Sequence, residues 1–341
     1  MNKIRIGVIA PANIALNRFM PALLQLKDDI EYVGISSYSE TERFGCISNK
    51  NNLEILNNNH KKCLDFISKF GGKYFLSFND MLKSSEIDAV YIPLPPNLHF
   101  KWAKLALENN KHVILEKPFT DSYFDSCKLI DLAKEKNLAI HENYMFMYHS
   151  QIEYVKKIIQ SGELGEIRLI SINFGFPFRG NDDFRYKKEL GGGSLLDCGG
   201  YTIKLASYLL GDTTKLVYHK LNYLNNFNTD IYGYGCFEND EGLNAITSFG
   251  MDNCYRCDLE IWGSKKTIKT NRIFTCPKDV KPVFYFNDSK NNNYSVELEY
   301  DDSFKNSIKY FVDLIRKMNI RNGYYDKILK QAKFVEKFKE E

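Results

Sequence analysis

Apolar and polar positions keep two different rhythms along this chain. Up to about residue 145, short apolar runs alternate with segments whose apolar residues recur every three or four positions. Runs of four to eight apolar residues read as buried strands, and the three-to-four spacing reads as helix. Strands are predicted at 3–10 (KIRIGVIA), 31–37 (EYVGISS), Tyr74–Phe78, Ala89–Pro93, His112–Leu115 and Leu138–His141. A helix carrying Phe19, Leu23 and Leu24 follows the first strand, and helical spacing returns over 60–70, 99–109 and 121–136. The Asn-rich stretch 46–60 is a surface insertion or the polar start of a helix. Alternating strands and helices imply right-handed βαβ units around a parallel sheet.

Beyond residue 145 strands dominate. One helix, Gln151–Ser161, leads to a strand at Ile167–Gly175, and strand-like stretches follow at 215–224, 230–238, 242–250, 255–262, 265–270, 281–286 and 294–300. Short turn-rich connections between them suggest a large, mostly antiparallel sheet and an α+β arrangement. Two helices, Phe304–Met318 and Tyr325–Lys339, close the chain, their lysines on a solvated face. The expected fold is α/β: a doubly wound parallel sheet over 1–145, then an α+β domain over 146–341.

Composition narrows the function. A length of 341 residues suits two domains. The formal net charge is only +3, with lysine and glutamate mixed along the chain. A nucleic-acid footprint would need a clustered basic face. No apolar run reaches the eighteen or so residues of a membrane span, and the N-terminal run is too short for a signal-peptide core. Eight cysteines at 46, 63, 127, 198, 236, 254, 257 and 276 are too scattered for a disulfide scaffold. They read as free thiols, and the expected location is cytoplasmic. Cys254 and Cys257 lie three apart in an expected strand, so they point to opposite faces; with no second ligand pair, no metal site is expected.

Chemistry is expected where strands end. Between the first strand and the first helix runs Gly7-Val-Ile-Ala10-Pro-Ala12-Asn13-Ile14-Ala15. A helix N-terminus there offers backbone N–H groups and a positive dipole end to a pyrophosphate. Ala10, Ala12 and Ala15 stand where a G-x-G-x-x-G fingerprint would have glycine. Alanine permits close approach but not an easy positive φ. At the end of the second strand, Ser36-Ser37-Tyr38-Ser39 lacks the carboxylate that would grip the ribose of NAD. Nothing there repels a 2′-phosphate, and Arg43 is the nearest arginine. NADP(H) is therefore favoured over NAD(H).

Three further stretches align with that loop. Tyr91-Ile-Pro93-Leu-Pro-Pro-Asn97-Leu-His99 ends one strand and turns into a helix. Val113-Ile-Leu-Glu116-Lys117-Pro118 ends the next. Gly191-Gly-Gly-Ser-Leu-Leu-Asp197-Cys-Gly-Gly-Tyr201 opens a helix in the second domain. In this order and spacing they resemble the Gfo/Idh/MocA family of oxidoreductases, from about Ile4 to Gly211. Gly165-Glu-Ile-Arg168 and a weaker Gly263-Ser-Lys-Lys-Thr-Ile turn add to the likeness. The resemblance implies a Rossmann domain followed by an open-faced sheet domain, NAD(P) as cofactor, and a sugar or cyclitol as substrate. It also implies that Asn97 and His99 lie near the nicotinamide ribose, with helix capping as their alternative role.

Moving a hydride to or from a carbinol carbon requires a proton to join or leave its oxygen, hence a general acid/base within hydrogen-bond reach. Lys117 and Tyr201 both titrate near 10 when unperturbed. A nearby ammonium favours tyrosinate, and desolvation lowers a lysine; a shift of about three units corresponds to about 4 kcal/mol. Tyr201 is the expected proton donor or acceptor and Lys117 the group that polarises the substrate oxygen, with the reverse assignment open. Asp197 would accept a hydrogen bond from a sugar hydroxyl, or cap its helix, or both. Glu116 would face the cofactor or fix the Lys117 backbone. Arg185 is a candidate for holding a phosphorylated part of the substrate, or else a loop arginine. Tyr144 joins the substrate candidates ahead of Met145-Phe-Met-Tyr-His149-Ser-Gln151, which with Tyr201 resembles nucleotide-sugar ketoreductases of the family. Phe174, Phe176 and Phe178 alternate on one strand face, which suits core or interface more than a sugar platform. The glycines 191–193 would let the chain pack against the cofactor, or form a flexible loop. His149 reads as structural.

The leading expectation is an NAD(P)-dependent oxidoreductase acting on a sugar, plausibly a nucleotide-linked keto-sugar. A free-sugar, cyclitol or trans-dihydrodiol dehydrogenase is the alternative enzyme. A catalytically inactive NAD(P)-binding regulator or scaffold is the alternative of another class. A large sheet with one exposed apolar face implies a homodimer or homotetramer.

Overall fold

A computed structural model describes residues 2–45 and 50–340. Cys46 and the start of the 46–60 stretch lie outside the described residues. Contacts divide the chain into two compact units that are not continuous in sequence. The first takes the residues up to Thr120, Phe124–Asn143 and Phe304–Asp326. The second takes Asp121–Tyr123, Tyr144–Ser303 and Lys327 onward.

The first unit is built on six parallel strands: β1 (Ile4–Ile9), β2 (Ile30–Ser36), β3 (Lys73–Phe75), β4 (Ala89–Ile92), β5 (His112–Leu115) and β6 (Ile140–Glu142). Their order is β3-β2-β1-β4-β5-β6. The chain winds outward from β1 in one direction and from β4 in the other. The carboxyl ends of β1 and β4 therefore flank the switch point at which open α/β sheets form their ligand crevice. β1 is apolar and buried apart from Arg5, whose guanidinium pairs with Asp88.

A π-helical segment, Ala15–Phe19, follows β1 and runs into α1 (Met20–Leu23). α2 (Glu40–Phe44) begins with a capping box, Ser39 accepting from the Glu42 amide and Glu42 accepting from the Ser39 amide. α3 spans Lys50–Phe70, so the described part of the Asn-rich stretch is helix. The strand expected over Tyr74–Phe78 stops at Phe75. Ser77 accepts from the Asp80 amide and starts α4 (Phe78–Lys83), so a side-chain cap overrides the apolar run. α5 (His99–Glu108) and α6 (Tyr123–Glu135) complete the alternation.

The second unit holds α7 (Ser150–Gln160), a π-helical turn at Leu195–Gly199 and α8 (Gly200–Leu210). Its eight strands are β7 (Ile167–Gly175), β8 (Lys215–Tyr223), β9 (Asp230–Glu238), β10 (Asn244–Gly250), β11 (Arg256–Gly263), β12 (Lys266–Thr270), β13 (Val283–Asp288) and β14 (Asn293–Glu297). They pair in the order β14-β13-β12-β11-β7-β10-β9-β8, antiparallel except for β7 with β10. Alternation along the strands sorts side chains by face. Phe237, Phe249, Ile261 and Phe284 are buried, whereas Tyr232, Tyr234, Ile246, Trp262 and Tyr285 are exposed. β11 starts at Arg256, so Cys254 precedes it, exposed, while Cys257 is buried.

The closing helices are α9 (Ser303–Arg316) and α10 (Arg321–Lys337). α9 buries Phe304, Ile308, Phe311 and Val312 at helical spacing and belongs to the first unit. Ser307 bonds His141 and Asn143 at the end of β6, and Arg316 bonds Asp29 at 2.5 Å. These contacts tie a segment late in the chain to the parallel sheet.

Candidate active site

In the first unit the candidate residues collect at the carboxyl ends of β1, β2, β4 and β5. Ala10 leaves β1 with φ of 74°, a left-handed conformation that alanine adopts at a cost. Alanine thus takes here the positive φ expected to be costly for it. The Ala12 amide returns to the Ala10 carbonyl at 3.0 Å, closing a tight turn over Pro11. Helical turns begin at Asn13, so the amides of Asn13, Ile14 and Ala15 stand at a helix start, where no intrahelical acceptor exists. The side chains at 10, 12 and 15 are single methyl groups. This turn fits a pyrophosphate laid against backbone.

Just past the end of β2, Glu42 is already engaged, whereas Oε1 of Glu40 is buried with no hydrogen-bond partner. Glu42 serves the capping box and also accepts from the amides of Phe78 and Asn79 and from the Asn79 side chain. The Arg43 guanidinium lies over the Tyr38 ring, 5.4 Å from its centroid. Ser37 donates to Asn59 of α3 at 2.7 Å. The Arg43 cation on the Tyr38 face would suit a 2′-phosphate, with Glu40 a nearby carboxylate whose Oε1 has no partner. Sequence spacing placed Arg43 nearby but gave no sign of its stacking.

Glu116 and Lys117 follow β5. Tyr91 of β4 donates to Glu116 at 2.7 Å, and Asn143, just after β6, donates at 2.6 Å. The Tyr91 ring stacks on Phe19, 3.7 Å between centroids. Burial pushes the Glu116 carboxyl above the usual carboxylate range, opposed by the bonds from Tyr91 and Asn143 and by the charge of Lys117. Glu116 is thus held from both neighbouring strands, and it fixes the backbone from which Lys117 projects. Tyr91 and Asn143 were missed as participants; their place at strand ends was the available signal.

Pro93 follows β4, and Asn97 lies in the turn Pro96–Leu98 that leads into α5. No side chain caps α5, so the capping alternative for Asn97 and His99 does not hold. His99 is fully buried, with Nδ1 2.8 Å from the Pro118 carbonyl and Nε2 2.7 Å from the Leu94 carbonyl. Two carbonyls would suit an imidazolium, but burial dominates and pushes the ring down to about 4, with Lys117 acting in the same direction. A neutral ring can donate to only one of these two carbonyls, so in that state it ties down either the loop after β4 or the loop after β5 and not both. Both ring nitrogens face carbonyl oxygens, so a place near the nicotinamide ribose would not bring a ring nitrogen to it.

In the second unit Asp197, Tyr201, Arg185 and Tyr144 gather around the start of α8. Arg185 donates through Nε to Asp197 at 2.7 Å and through Nη1 to Asp183 at 3.1 Å. The two carboxylates hold the guanidinium pKa above its ordinary value even though burial, the largest influence, acts to lower it. Arg185 is therefore a partner of Asp197, and the expected substrate phosphate would have to compete with two carboxylates. Asp197 does not cap its helix. That acceptor is Asp230 of β9, which takes the Ser194 hydroxyl and the Leu195 amide, both at 2.6 Å. Asp230 lies far from the glycine run in sequence, and no local pattern signals it.

The glycines fit closely against the chain itself. A Cβ on Gly192 would fall 2.4 Å from the Arg185 carbonyl, and one on Gly193 would fall 2.4 Å from Asp230. Tyr201 is buried among Tyr144, Phe146, Phe174 and Phe274, with centroids 5.1 to 5.7 Å away. A Cβ on Gly200 would come within 2.0 Å of the Tyr144 hydroxyl oxygen, so glycine lets that phenol approach the helix. Phe174 and Phe176 are core, whereas Phe178 is 46% exposed. His149 is buried and lies 4.0 Å from Asp301, a structural setting.

Residues 4–144 match the model of an oxidoreductase family with an NAD-binding Rossmann fold, and residues 152–269 match the GFO/IDH/MocA C-terminal domain. A dTDP-3,4-didehydro-2,6-dideoxy-alpha-D-glucose 3-reductase from Saccharopolyspora spinosa is 32% identical, over 92% of this chain and 88% of its own length. The protein of the same name from Actinomadura kijaniata is 31% identical, over 98% of this chain and 94% of its own. The crystal structure of KijD10, a 3-ketoreductase from Actinomadura kijaniata in complex with NADP and TDP-benzene, superposes with a TM-score of 0.88. The two are 30% identical, with 98% of this chain and 96% of that one covered. An aldose-aldose oxidoreductase from Caulobacter crescentus shares the fold at a TM-score of 0.80 and 17% identity.

Proposed function

Because this chain belongs to the Gfo/Idh/MocA family of oxidoreductases, we propose that it reduces a keto group on a nucleotide-linked sugar with NADP(H). One observation carries the reading. The turn at Ala10 and the Glu116-Lys117 pair stand at carboxyl ends of one sheet, around its switch point, with Glu116 pinned from both neighbouring strands. The names and bound ligands of the relatives point to a nucleotide-linked keto-sugar over a free sugar or cyclitol.

The turn at Ala10, the helix start at Asn13–Ala15 and the Arg43–Tyr38 pair would hold NADPH, which supplies the hydride when bound. This chain's residues then manage the oxygen. Lys117 polarises the substrate carbonyl with its ammonium, and Tyr201 gives the proton that the developing alkoxide takes up. Asp197, held by Arg185, accepts a hydrogen bond from a neighbouring hydroxyl and fixes the sugar's orientation. The reading requires the Lys117 ammonium and the Tyr201 phenol to meet at the reacting oxygen.

Two finer statements go with it. The exposed aromatic face formed by Tyr232, Tyr234, Ile246 and Trp262 suits association of copies into a homodimer or homotetramer. A cytoplasmic enzyme is consistent with thiols kept reduced, and among the described residues no helix is long and apolar enough to cross a membrane.

Steady-state oxidation of NADPH tests the function. A nucleotide-linked 3-keto-sugar should be turned over, and an uncharged polyol panel should not. Lys117→Ala and Tyr201→Phe should each lower kcat at least about a hundredfold, as expected for a lost acid/base group, with NADPH binding retained. Unchanged turnover in both variants would remove the mechanism, and turnover of polyols alone would move the substrate class.

A further inference from the structure

A cleft of about 640 Å³ opens in the second unit, lined by Phe178, Asn181, Tyr186, Asn226, Phe227 and Asp252. We infer that it binds the pyrimidine base of the nucleotide-linked substrate, an inference that rests on the function proposed above. Three rings form its floor. Phe178 lies 4.8 Å from Tyr186 and 5.9 Å from Phe227, and Tyr186 lies 5.4 Å from Phe227. The Tyr186 hydroxyl donates to the Met251 carbonyl at 2.6 Å and accepts from the Arg179 amide at 3.2 Å, so this ring is fixed before any ligand arrives. Phe178 keeps nearly half its surface exposed although the other rings surround it, an arrangement suited to a flat aromatic guest.

The polar rim selects the guest. Asn181 and Asn226 each carry a donor and an acceptor. Together they match the imide edge of uracil or thymine, one N–H between two carbonyls. Asp252 places a carboxylate at the rim, which repels a diphosphate and leaves this end to the uncharged base. The Arg179 guanidinium, one residue beyond Phe178, lies 4.5 Å from the centroid of the Phe176 ring and supplies positive charge toward the ribose and phosphates.

Placement agrees with chemistry. Tyr186 follows Arg185, the partner of Asp197. β7 ends at Gly175, so Phe178 lies just past the end of the strand whose Phe174 packs on Tyr201. A sugar beside Tyr201 and Asp197 would thus carry its base to this cleft.

Isothermal titration of the full chain, saturated with NADP⁺ so that the cofactor site is closed to ADP, with dTDP, UDP and ADP tests the inference. The wild type should bind dTDP and UDP and discriminate against ADP; ADP binding as tight as dTDP would overturn the pyrimidine assignment. Phe178→Ala should raise the dTDP Kd about tenfold or more, since a base stacked on an aromatic ring gains that much. Asn226→Ala, at an exposed position that folding does not need, should raise it about fivefold, the worth of a hydrogen bond. Both variants should keep wild-type melting and NADPH affinity, and should raise KM for the nucleotide-linked keto-sugar more than they lower kcat. If the wild type reduces that substrate while both variants bind dTDP as it does, the base lies elsewhere and only this inference falls. If the wild type binds no nucleotide and reduces an unlinked sugar, the substrate class falls with it.

Discussion

The pairing of Arg185 with Asp197 makes the sharpest prediction in the second unit. The two side chains meet at 2.7 Å and are 21% and 12% exposed, with Asp183 as a second partner of the guanidinium. Exposed ion pairs contribute about 0–1 kcal/mol, whereas stripping one partner from a buried pair costs about 3–5 kcal/mol. At these exposures Arg185→Ala should cost about 2–3 kcal/mol, most of it from leaving Asp197 charged in a largely buried place. Asp197→Asn removes the charge and should cost less. A double-mutant cycle of the two, followed by urea unfolding, should give a coupling of about 1.5–3 kcal/mol, the range of a charge-assisted bond. Arg185→Lys should not restore it, because a lysine lacks the fork that reaches both carboxylates. Kinetics adds a separate readout. If Arg185 positions Asp197, Arg185→Ala should lower kcat by about a hundredfold, the effect of misplacing a reacting group by about 1 Å, with NADPH affinity unchanged. A coupling under about 0.5 kcal/mol, or wild-type kcat in Arg185→Ala, would refute the reasoning.

Other expectations follow from single positions. Gly200→Ala sets a methyl 2.0 Å from the Tyr144 hydroxyl oxygen; overpacking of about 1–3 kcal/mol should outweigh a helix-propensity gain of about 1 kcal/mol, so the melting temperature falls, and adding Tyr144→Phe should recover part of it. Ala10→Gly should be neutral within about 1 kcal/mol, because relief of the left-handed backbone offsets a lost methyl contact and added chain entropy. Ala10→Val should lose about 2 kcal/mol or more and weaken NADPH binding, since a β-branched residue tolerates φ of 74° poorly; equal stability of the two variants would contradict this. His112 accepts the Ala139 amide on Nδ1, and burial, with Arg321 adding to it, pushes its pKa from 6.5 down to about 4. Protonation therefore favours the unfolded chain: the stability is full above about pH 6.5 and drains as pH falls toward 4, up to about 3 kcal/mol. Urea midpoints should drop over that window in the wild type and less in His112→Asn, whose amide oxygen replaces Nδ1.

The strand pattern of both units was legible because apolar runs and alternation are local. β1, β2, β4 and β5 sit within a residue or so of their expected bounds, and β7 and β9 match them. The turn at Ala10, the Glu116-Lys117 strand end and the Asp197–Tyr201 helix start were legible from residue type and order. What escaped was set by distant partners. Ser77 starts a helix inside an apolar run, Asp230 caps a helix from another strand, and Asp183 with Asp197 engages an arginine that in sequence looked available to substrate. His99 likewise looked like a ligand contact until two carbonyls claimed its ring. The grouping of α9 with the first unit rests on bonds such as Ser307 to Asn143, more than a hundred and sixty residues apart. Periodicity carries no record of such pairings.

The most direct test is a crystal structure of this chain with NADP⁺ and a nucleotide-linked sugar. The account predicts that the nitrogen of the residue-117 side chain and the phenolic oxygen of residue 201 both lie about 2.6–3.2 Å from the hydroxyl that reacts. Either group out of hydrogen-bond reach, with a different side chain in its place, would contradict it.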